Sequence, residues 1–164
     1  MFRIGFGCDT HKLEYNQELW LGGILIPHDK GATGHSDADT LIHAIIDALL
    51  GASGLRDIGV QFPDTAAEYK GIDSKVLLSR TMDLITAKGF SIGNIDCTII
   101  LQSPKIGQFI PLMNKTLATV MNIQSDQVSI KAKTSEKLGF IGREEGISAY
   151  AVVLLQKPPV HPSP

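Results

Sequence analysis

Gly34-His35-Ser36-Asp37-Ala38-Asp39-Thr40-Leu41-Ile42-His43, continued by Ala44-Ile45-Ile46-Asp47-Ala48-Leu49-Leu50-Gly51, is the stretch on which the fold turns. Its apolar members Leu41, Ile42, Ile45, Ile46, Leu49 and Leu50 recur at helical spacing, and Gly51 supplies a stop. Ser36 followed by Asp39 reads as a capping-box variant with the shorter Asp in place of Glu. On that reading His35 stands just before the helix and His43 lies about two turns inside it. Two imidazoles and two carboxylates thus gather where a loop enters a helix. Asp39 and Asp47, four residues either side of His43, can orient its second nitrogen or simply form a solvated face.

Upstream, residues 2–8 read as a strand relieved by Gly5 and Gly7 that runs into Asp9-Thr10-His11. Side chains two apart on a strand share a face, so Asp9 and His11 are natural co-ligands. Residues 20–26 suggest one further short strand closed by Pro27, and residues 28–34 a loop. Downstream, Gly, Pro and Asp crowd residues 51–65, a long irregular segment anchored by Leu55, Ile58, Val60 and Phe62. Residues 74–88 form a second amphipathic helix ended by Gly89. Ile95, Cys97, Ile99 and Leu101 alternate against Asp96 and Thr98 as a half-buried strand. A helix over 108–121 tolerates Pro111 in its first turn. Val128, Ile130 and Ala132 mark another strand, and residues 147–155 the last. Strands and helices mixed in this order predict an α/β layer fold in a single domain, residues 1–156, followed by a Pro-rich tail, 157–164, that cannot continue a sheet.

The composition narrows the function classes. The chain has 164 residues, 43% of them apolar, enough for one domain with a real core. A net charge of −2 from 15 basic and 17 acidic residues leaves no basic stripe for nucleic acid. Two cysteines, Cys8 and Cys97, are too few for a disulfide scaffold and suit reduced thiols in the cytoplasm. The first residues do not read as a signal peptide, and no apolar run is long enough for a membrane span.

Three constellations can carry chemistry. Asp9, His11 and His43 offer two imidazoles and a carboxylate, which on tetrahedral zinc leaves a fourth position open; the alternative is two hydrogen-bonded histidines. Asp57 and Asp64, with Gly59 between, can accept hydrogen bonds from a polyol or can merely shape turns. Thr134, Ser135, Glu136 and Arg143 combine hydroxyls, a hard oxygen ligand and a guanidinium in one loop, suited to magnesium and phosphate or to an ordinary charged surface.

RIGFGCDTH (residues 3–11), GHSDADTLIHAIIDALLGASGLRDIGVQFPDT (34–65) and KTSEKLGFIGREEGIS (133–148) together resemble the 2-C-methyl-D-erythritol 2,4-cyclodiphosphate synthase family of non-mevalonate isoprenoid biosynthesis. The resemblance runs from the first strand to Leu155. It implies a homotrimer with sheets packed about a three-fold axis and active sites between subunits. It also implies conversion of 4-diphosphocytidyl-2-C-methyl-D-erythritol 2-phosphate to the 2,4-cyclodiphosphate with release of CMP. Residue by residue, it assigns zinc, or another divalent metal, to Asp9, His11 and His43. Magnesium or manganese falls to Glu136, and transition-state stabilisation to His35 and Thr134. Thr10 falls among the substrate-binding positions, and Ser36, Asp57, Ile58, Gly59, Phe62, Pro63, Asp64, Thr65 and Ala66 match positions beside the erythritol and its phosphates. Leu101, Gln102, Ser103, Pro104, Lys105, Ile106 and Gly107 match the cytidine pocket, with Ala132, Lys133, Ser135, Phe140 and Arg143 closing the nucleotide side. The chain departs from the family at Phe6, Cys8, Thr10, Ala38, Lys133 and Glu144, none of them a metal ligand. A non-catalytic, zinc-stabilised trimer that binds cytidine nucleotides or isoprenoid diphosphates is the alternative, and a metallophosphatase using His35 is a third reading.

Overall fold

The computed structural model describes residues 1–158. In chain order it contains β1 (Phe2–Tyr15), β2 (Leu19–Leu21), β3 (Ile24–Ile26), β4 (Lys30–Ala32), α1 (Thr40–Ala52), α2 (Ile58–Gln61), α3 (Ser74–Ala87), β5 (Ser91–Ile100), α4 (Ile110–Met121), β6 (Val128–Lys133), α5 (Gly139–Gly142) and β7 (Gly146–Gln156). The main sheet has the order β4-β1-β7-β5-β6, antiparallel except for the parallel β5–β6 pair. α1 lies along β1 and β7, α3 packs on α1, and α4 packs on β6. This is the α/β layer arrangement that the sequence predicts.

Strand alternation decides which face the helices take. Leu41, Ile42, Ile45, Ile46, Leu49 and Leu50 are all fully buried, each contributing roughly 2 kcal/mol by leaving water. Their helix approaches β1 closely because Gly5 and Gly7 carry no side chain there. A Cβ on Gly5 would stand 1.9 Å from the Ala48 carbonyl oxygen, and one on Gly7 would stand 2.1 Å from that of Ala44. Small residues on both partners bring α1 almost onto the strand backbone, which sets His43 over the exit of β1.

The helix begins later than the capping-box reading places it. Asp39, not Ser36, is the N-cap, accepting the Ile42 N–H at 3.0 Å. His43 is therefore the fourth helical residue, in the first turn rather than two turns in. Tertiary contact selects Asp39: its fully buried carboxylate also accepts the Gly22 and Gly23 N–H groups at 3.0 and 2.7 Å. Those two glycines, both at positive φ, form the tight turn between β2 and β3, so residues 20–26 make a hairpin rather than one strand. β4, inside the expected loop, pairs with the end of β1. Lys157, at the start of the Pro-rich tail, is held: its N–H donates to the Met1 carbonyl at 2.9 Å and its Nζ to the Lys88 carbonyl at 2.7 Å. Residues 159–164 of that tail lie outside the described residues.

The other sheet face is left bare. Ile4 is 74% exposed and Phe6 62%, alongside exposed Cys8, Thr10, Tyr150 and Val152. Phe6 and Tyr150 stack across the strands at 6.3 Å between ring centres.

Candidate functional site

β1 delivers Asp9 and His11 on its helix-facing side, and α1 brings His43 down between them. His11 Nε2 lies 2.9 Å from Asp9 Oδ2, His43 Nδ1 lies 3.0 Å from the same oxygen, and the two imidazole nitrogens are 3.2 Å apart. His11 Nδ1 donates to the Thr33 carbonyl at 2.9 Å. A carbonyl can only accept, so Nδ1 carries a proton; the neutral ring turns its Nε2 lone pair inward, whereas the protonated ring donates Nε2–H to Asp9. Burial works against charge on both Asp9 and His11, but the hydrogen bonds and charges they share outweigh it. The Asp9 carboxyl is held well below the usual carboxylate range, and the His11 imidazole is raised above its ordinary value. Two imidazole nitrogens and a carboxylate oxygen within 4.8 Å of one another are a donor set that fits zinc or a similar divalent ion.

A cavity of about 290 Å³ opens on these three residues. His35, Ser36, Ile58, Gly59, Phe62 and Asp64 wall it together with Tyr69, Ile72 and Leu77. His35 Nε2 stands 3.7 Å from Asp64 Oδ2, both side chains exposed at the rim. Phe62 and Tyr69 meet edge to face at 5.6 Å and give the cavity an apolar side. A larger cavity of about 710 Å³ adjoins at Ser36 and Gly34 but contains no histidine; donor chemistry, not volume, singles out the smaller one.

Of the other residues read beside the erythritol, Asp57 caps α2 by accepting the Val60 N–H at 3.0 Å, and Pro63, Thr65 and Ala66 follow Phe62 without lining the cavity. Thr10 lies on the opposite, bare face of the sheet, its hydroxyl 2.8 Å from that of Ser148. The expected support of His43 by Asp39 and Asp47 is absent. Asp39 is committed to Gly22, Gly23 and Ile42, and Asp47 accepts the Ile58 N–H at 2.8 Å. Ser36 and Ser74 instead stand 3.0 and 2.9 Å from His43 Nε2. Ser74 was not legible as a site residue: at the head of an amphipathic helix it reads as a helix start, and nothing local links it to His43 thirty-one positions away.

The remaining candidates form a second cluster. The Leu101 N–H donates to the Lys133 carbonyl at 2.9 Å and the Lys137 N–H to Gln102 Oε1 at 3.1 Å. These bonds join the segment from Leu101 to Gly107, including Ser103, Pro104, Lys105 and Ile106, to the loop that follows β6. Thr134 Oγ1 donates to Glu136 Oε1 at 2.7 Å, and Ser135 Oγ to the Leu138 carbonyl at 2.8 Å. Ala132 and Lys133 end the strand beneath. Phe140 lies over Gly146, where a Cβ would meet its ring at 2.9 Å. Arg143 is committed to Glu145 through two 3.0 Å bonds.

The two clusters do not meet within one chain. Thr10, Ser148, Ile100 and Lys133 stand in register across β1, β7, β5 and β6, and three strand spacings span about 14 Å. The cavity at Asp9, His11 and His43 has no wall residue beyond Leu77.

The family model described as the YgbB family matches residues 2–156. The chain belongs to the YgbB family. The 2-C-methyl-D-erythritol 2,4-cyclodiphosphate synthase of Bacteroides fragilis is 62% identical over 155 residues, covering 94% of this chain and 98% of that protein. Among solved structures, the bifunctional IspDF of Campylobacter jejuni superposes with a TM-score of 0.93 at 39% identity, covering 96% of this chain and 43% of that one. The IspF of Plasmodium falciparum in complex with CDP superposes with a TM-score of 0.85 at 38% identity, covering 96% of this chain and 97% of that one. The YgbB match thus takes in both clusters.

Proposed function

We propose that the protein converts 4-diphosphocytidyl-2-C-methyl-D-erythritol 2-phosphate to 2-C-methyl-D-erythritol 2,4-cyclodiphosphate with release of CMP, a lyase step of non-mevalonate isoprenoid biosynthesis. The observation that carries it is the convergence of Asp9, His11 and His43 at the mouth of a cavity in a chain of this family. Asp9, His11 and His43 would hold zinc or another divalent ion, and Glu136 a magnesium or manganese ion on the diphosphate. Such ions neutralise phosphate charge and polarise the reacting P–O bonds, the chief demand of phosphoryl transfer.

The chain's own residues do the rest. Nucleophile and electrophile belong to one molecule, so the cavity acts by holding the erythritol bent until the 2-phosphate faces the β-phosphorus. Ile58 and Phe62 line its apolar side and exclude water. Ser36 and His35 offer donors to phosphate oxygens, and Asp64 and Asp57 offer acceptors to hydroxyls. Thr134 and Ser135 present hydroxyls on the nucleotide side, and the segment from Leu101 to Gly107 receives the cytosine. A phosphate monoester is already ionised near neutral pH, so no protein base or nucleophile is required.

A homotrimer belongs to the same reading. The bare face of β1 and β7, with Ile4, Phe6, Tyr150 and Val152, is an apolar surface suited to a second copy. Assembly would also bring the nucleotide-side cluster of one copy to the cavity of the next. No described helix is long and apolar enough to cross a membrane. A cytoplasmic location belongs to the same reading.

Incubation with substrate and Mg²⁺ tests the activity. CMP and cyclic diphosphate should appear in equal amounts. Orthophosphate would identify a phosphatase instead, and tight CMP binding without turnover a binding protein. His43→Ala should abolish retention of the divalent ion, and sedimentation should return three times the 17.7 kDa chain mass.

A further inference from the structure

We propose that Ser74, held by Asp37, is a positioning residue that sets the tautomer and orientation of His43. This deepens the divalent-ion reading given above and rests on it. Neither residue lines the smaller cavity, although Asp37 borders the larger one; both sit behind the imidazole.

The protons can be placed one at a time. The Asp37 carboxylate has acceptors only. Its Oδ2 takes the Ser74 N–H at 3.0 Å, and its Oδ1 takes the Ser74 hydroxyl proton. With that proton committed, Ser74 Oγ can offer only lone pairs to His43 Nε2, 2.9 Å away. Nε2 must therefore carry the ring proton, and Nδ1 turns its lone pair toward Asp9 Oδ2 and His11 Nε2. Ser36 Oγ, 3.0 Å from the same nitrogen, already accepts the Ala38 N–H at 3.1 Å. Its own hydroxyl is free to point either way, so it does not decide the tautomer.

The arrangement is rigid. Ser74 is fully buried, so a mismatched donor there would be costly. Asp37 is held by its own N–H to the Ile72 carbonyl at 3.2 Å and by the Asp39 N–H to its Oδ1 at 3.2 Å. His11 is fixed by a backbone carbonyl and His43 by a charged side chain acting through a hydroxyl. The two imidazoles thus reach complementary tautomers by different routes, and each presents a lone pair to the same point.

The test compares Zn²⁺ affinity, by chelator competition without substrate, with the histidine tautomers of the metal-free protein, by ¹⁵N NMR. Ser74→Ala should weaken zinc binding by about 10- to 100-fold and replace the single Nε2–H form of His43 by a mixture. Asp37→Asn, nearly isosteric, should act in the same direction and serves if Ser74→Ala does not fold. Asp73→Ala is the control for a purely structural role. It removes the α3 cap, which accepts the Lys75 N–H at 2.8 Å, and should lower the Tm while leaving zinc affinity unchanged. Wild-type zinc affinity and tautomer in Ser74→Ala would overturn the proposal, as would an equal affinity loss in Asp73→Ala. A wild-type protein that takes up no zinc would overturn the ion site itself, while the NMR measurement would still decide the His43 tautomer.

Discussion

Adding one methyl group to Gly7 tests the link between the fold and the site. The new Cβ would lie 2.1 Å from the Ala44 carbonyl oxygen, 2.7 Å from the Ala48 nitrogen and 3.0 Å from the Asp47 Cβ. An ordinary carbon–oxygen contact is about 3.3 Å, so α1 must retreat by roughly 1.2 Å. The obstructing atoms are mid-helix backbone, so no side-chain rotation relieves the clash and the helix moves as a unit. Overpacking usually costs about 1–3 kcal/mol. Because six buried Leu and Ile residues ride on this helix, Gly7→Ala should fall at the upper end, about 3 kcal/mol, a drop of roughly 6–12 °C in Tm. His43 adjoins Ala44 and Asp9 lies two residues beyond Gly7, so the 3.0 Å Nδ1–Oδ2 spacing should open and zinc affinity fall by about tenfold, near 1.4 kcal/mol. The assay is urea unfolding of metal-free protein at fixed concentration, followed by zinc competition. Gly51→Ala is the matched control: a Cβ there meets nothing within 4 Å, and helix propensity should stabilise the protein by up to about 1 kcal/mol. A Gly7→Ala protein within about 1 kcal/mol of wild type and with unchanged zinc affinity would refute the close α1–β1 contact as the element that places His43.

Asp39→Ala should destabilise by about 4 kcal/mol, combining a lost N-cap with two orphaned buried N–H groups at Gly22 and Gly23; a loss near 1 kcal/mol in urea unfolding would mean that the cap alone matters. The metal-free protein should be most stable in mildly acidic solution. The Asp9 pKa is lowered, so its contribution is present above the ordinary value of 3.8 and lost as pH falls through the folded value. The His11 pKa is raised, so its contribution is full below 6.5 and lost as pH rises through the folded value. Thermal melts across pH check both limbs, and Asp9→Asn should flatten them. Phe6→Glu, which buries a charge in any contact made by the bare sheet face, should shift sedimentation from the proposed trimer to monomer and leave the far-UV spectrum unchanged; a surviving trimer would place the interface elsewhere.

Much of the architecture was legible because it is written in short periods. The helical spacing from Leu41 to Leu50, the alternation from Ile95 to Leu101 and the turn chemistry of Gly89 each report local geometry, and the structure follows them closely. Asp9 and His11 could be paired on one face by the two-residue period of a strand alone. What local pattern could not rank were competing caps. Ser36 and Asp39 are both good N-cap residues, and the choice belongs to Gly22 and Gly23, whose N–H groups arrive from a hairpin seventeen residues away.

By itself, then, the chain's order of residues determined the strands β1, β5, β6 and β7, the principal helices, the family and the residue types able to hold a divalent ion. Only the tertiary structure decided which hydroxyl stands behind His43, that Asp39 and Asp47 serve the backbone instead of the imidazole, and that the two clusters lie on separate parts of one chain. The reason is the range of the forces involved. Periodicity and capping act within a few residues, whereas a buried polar group takes whichever partner the packed helices bring within about 3 Å. Sequence separation does not encode that meeting.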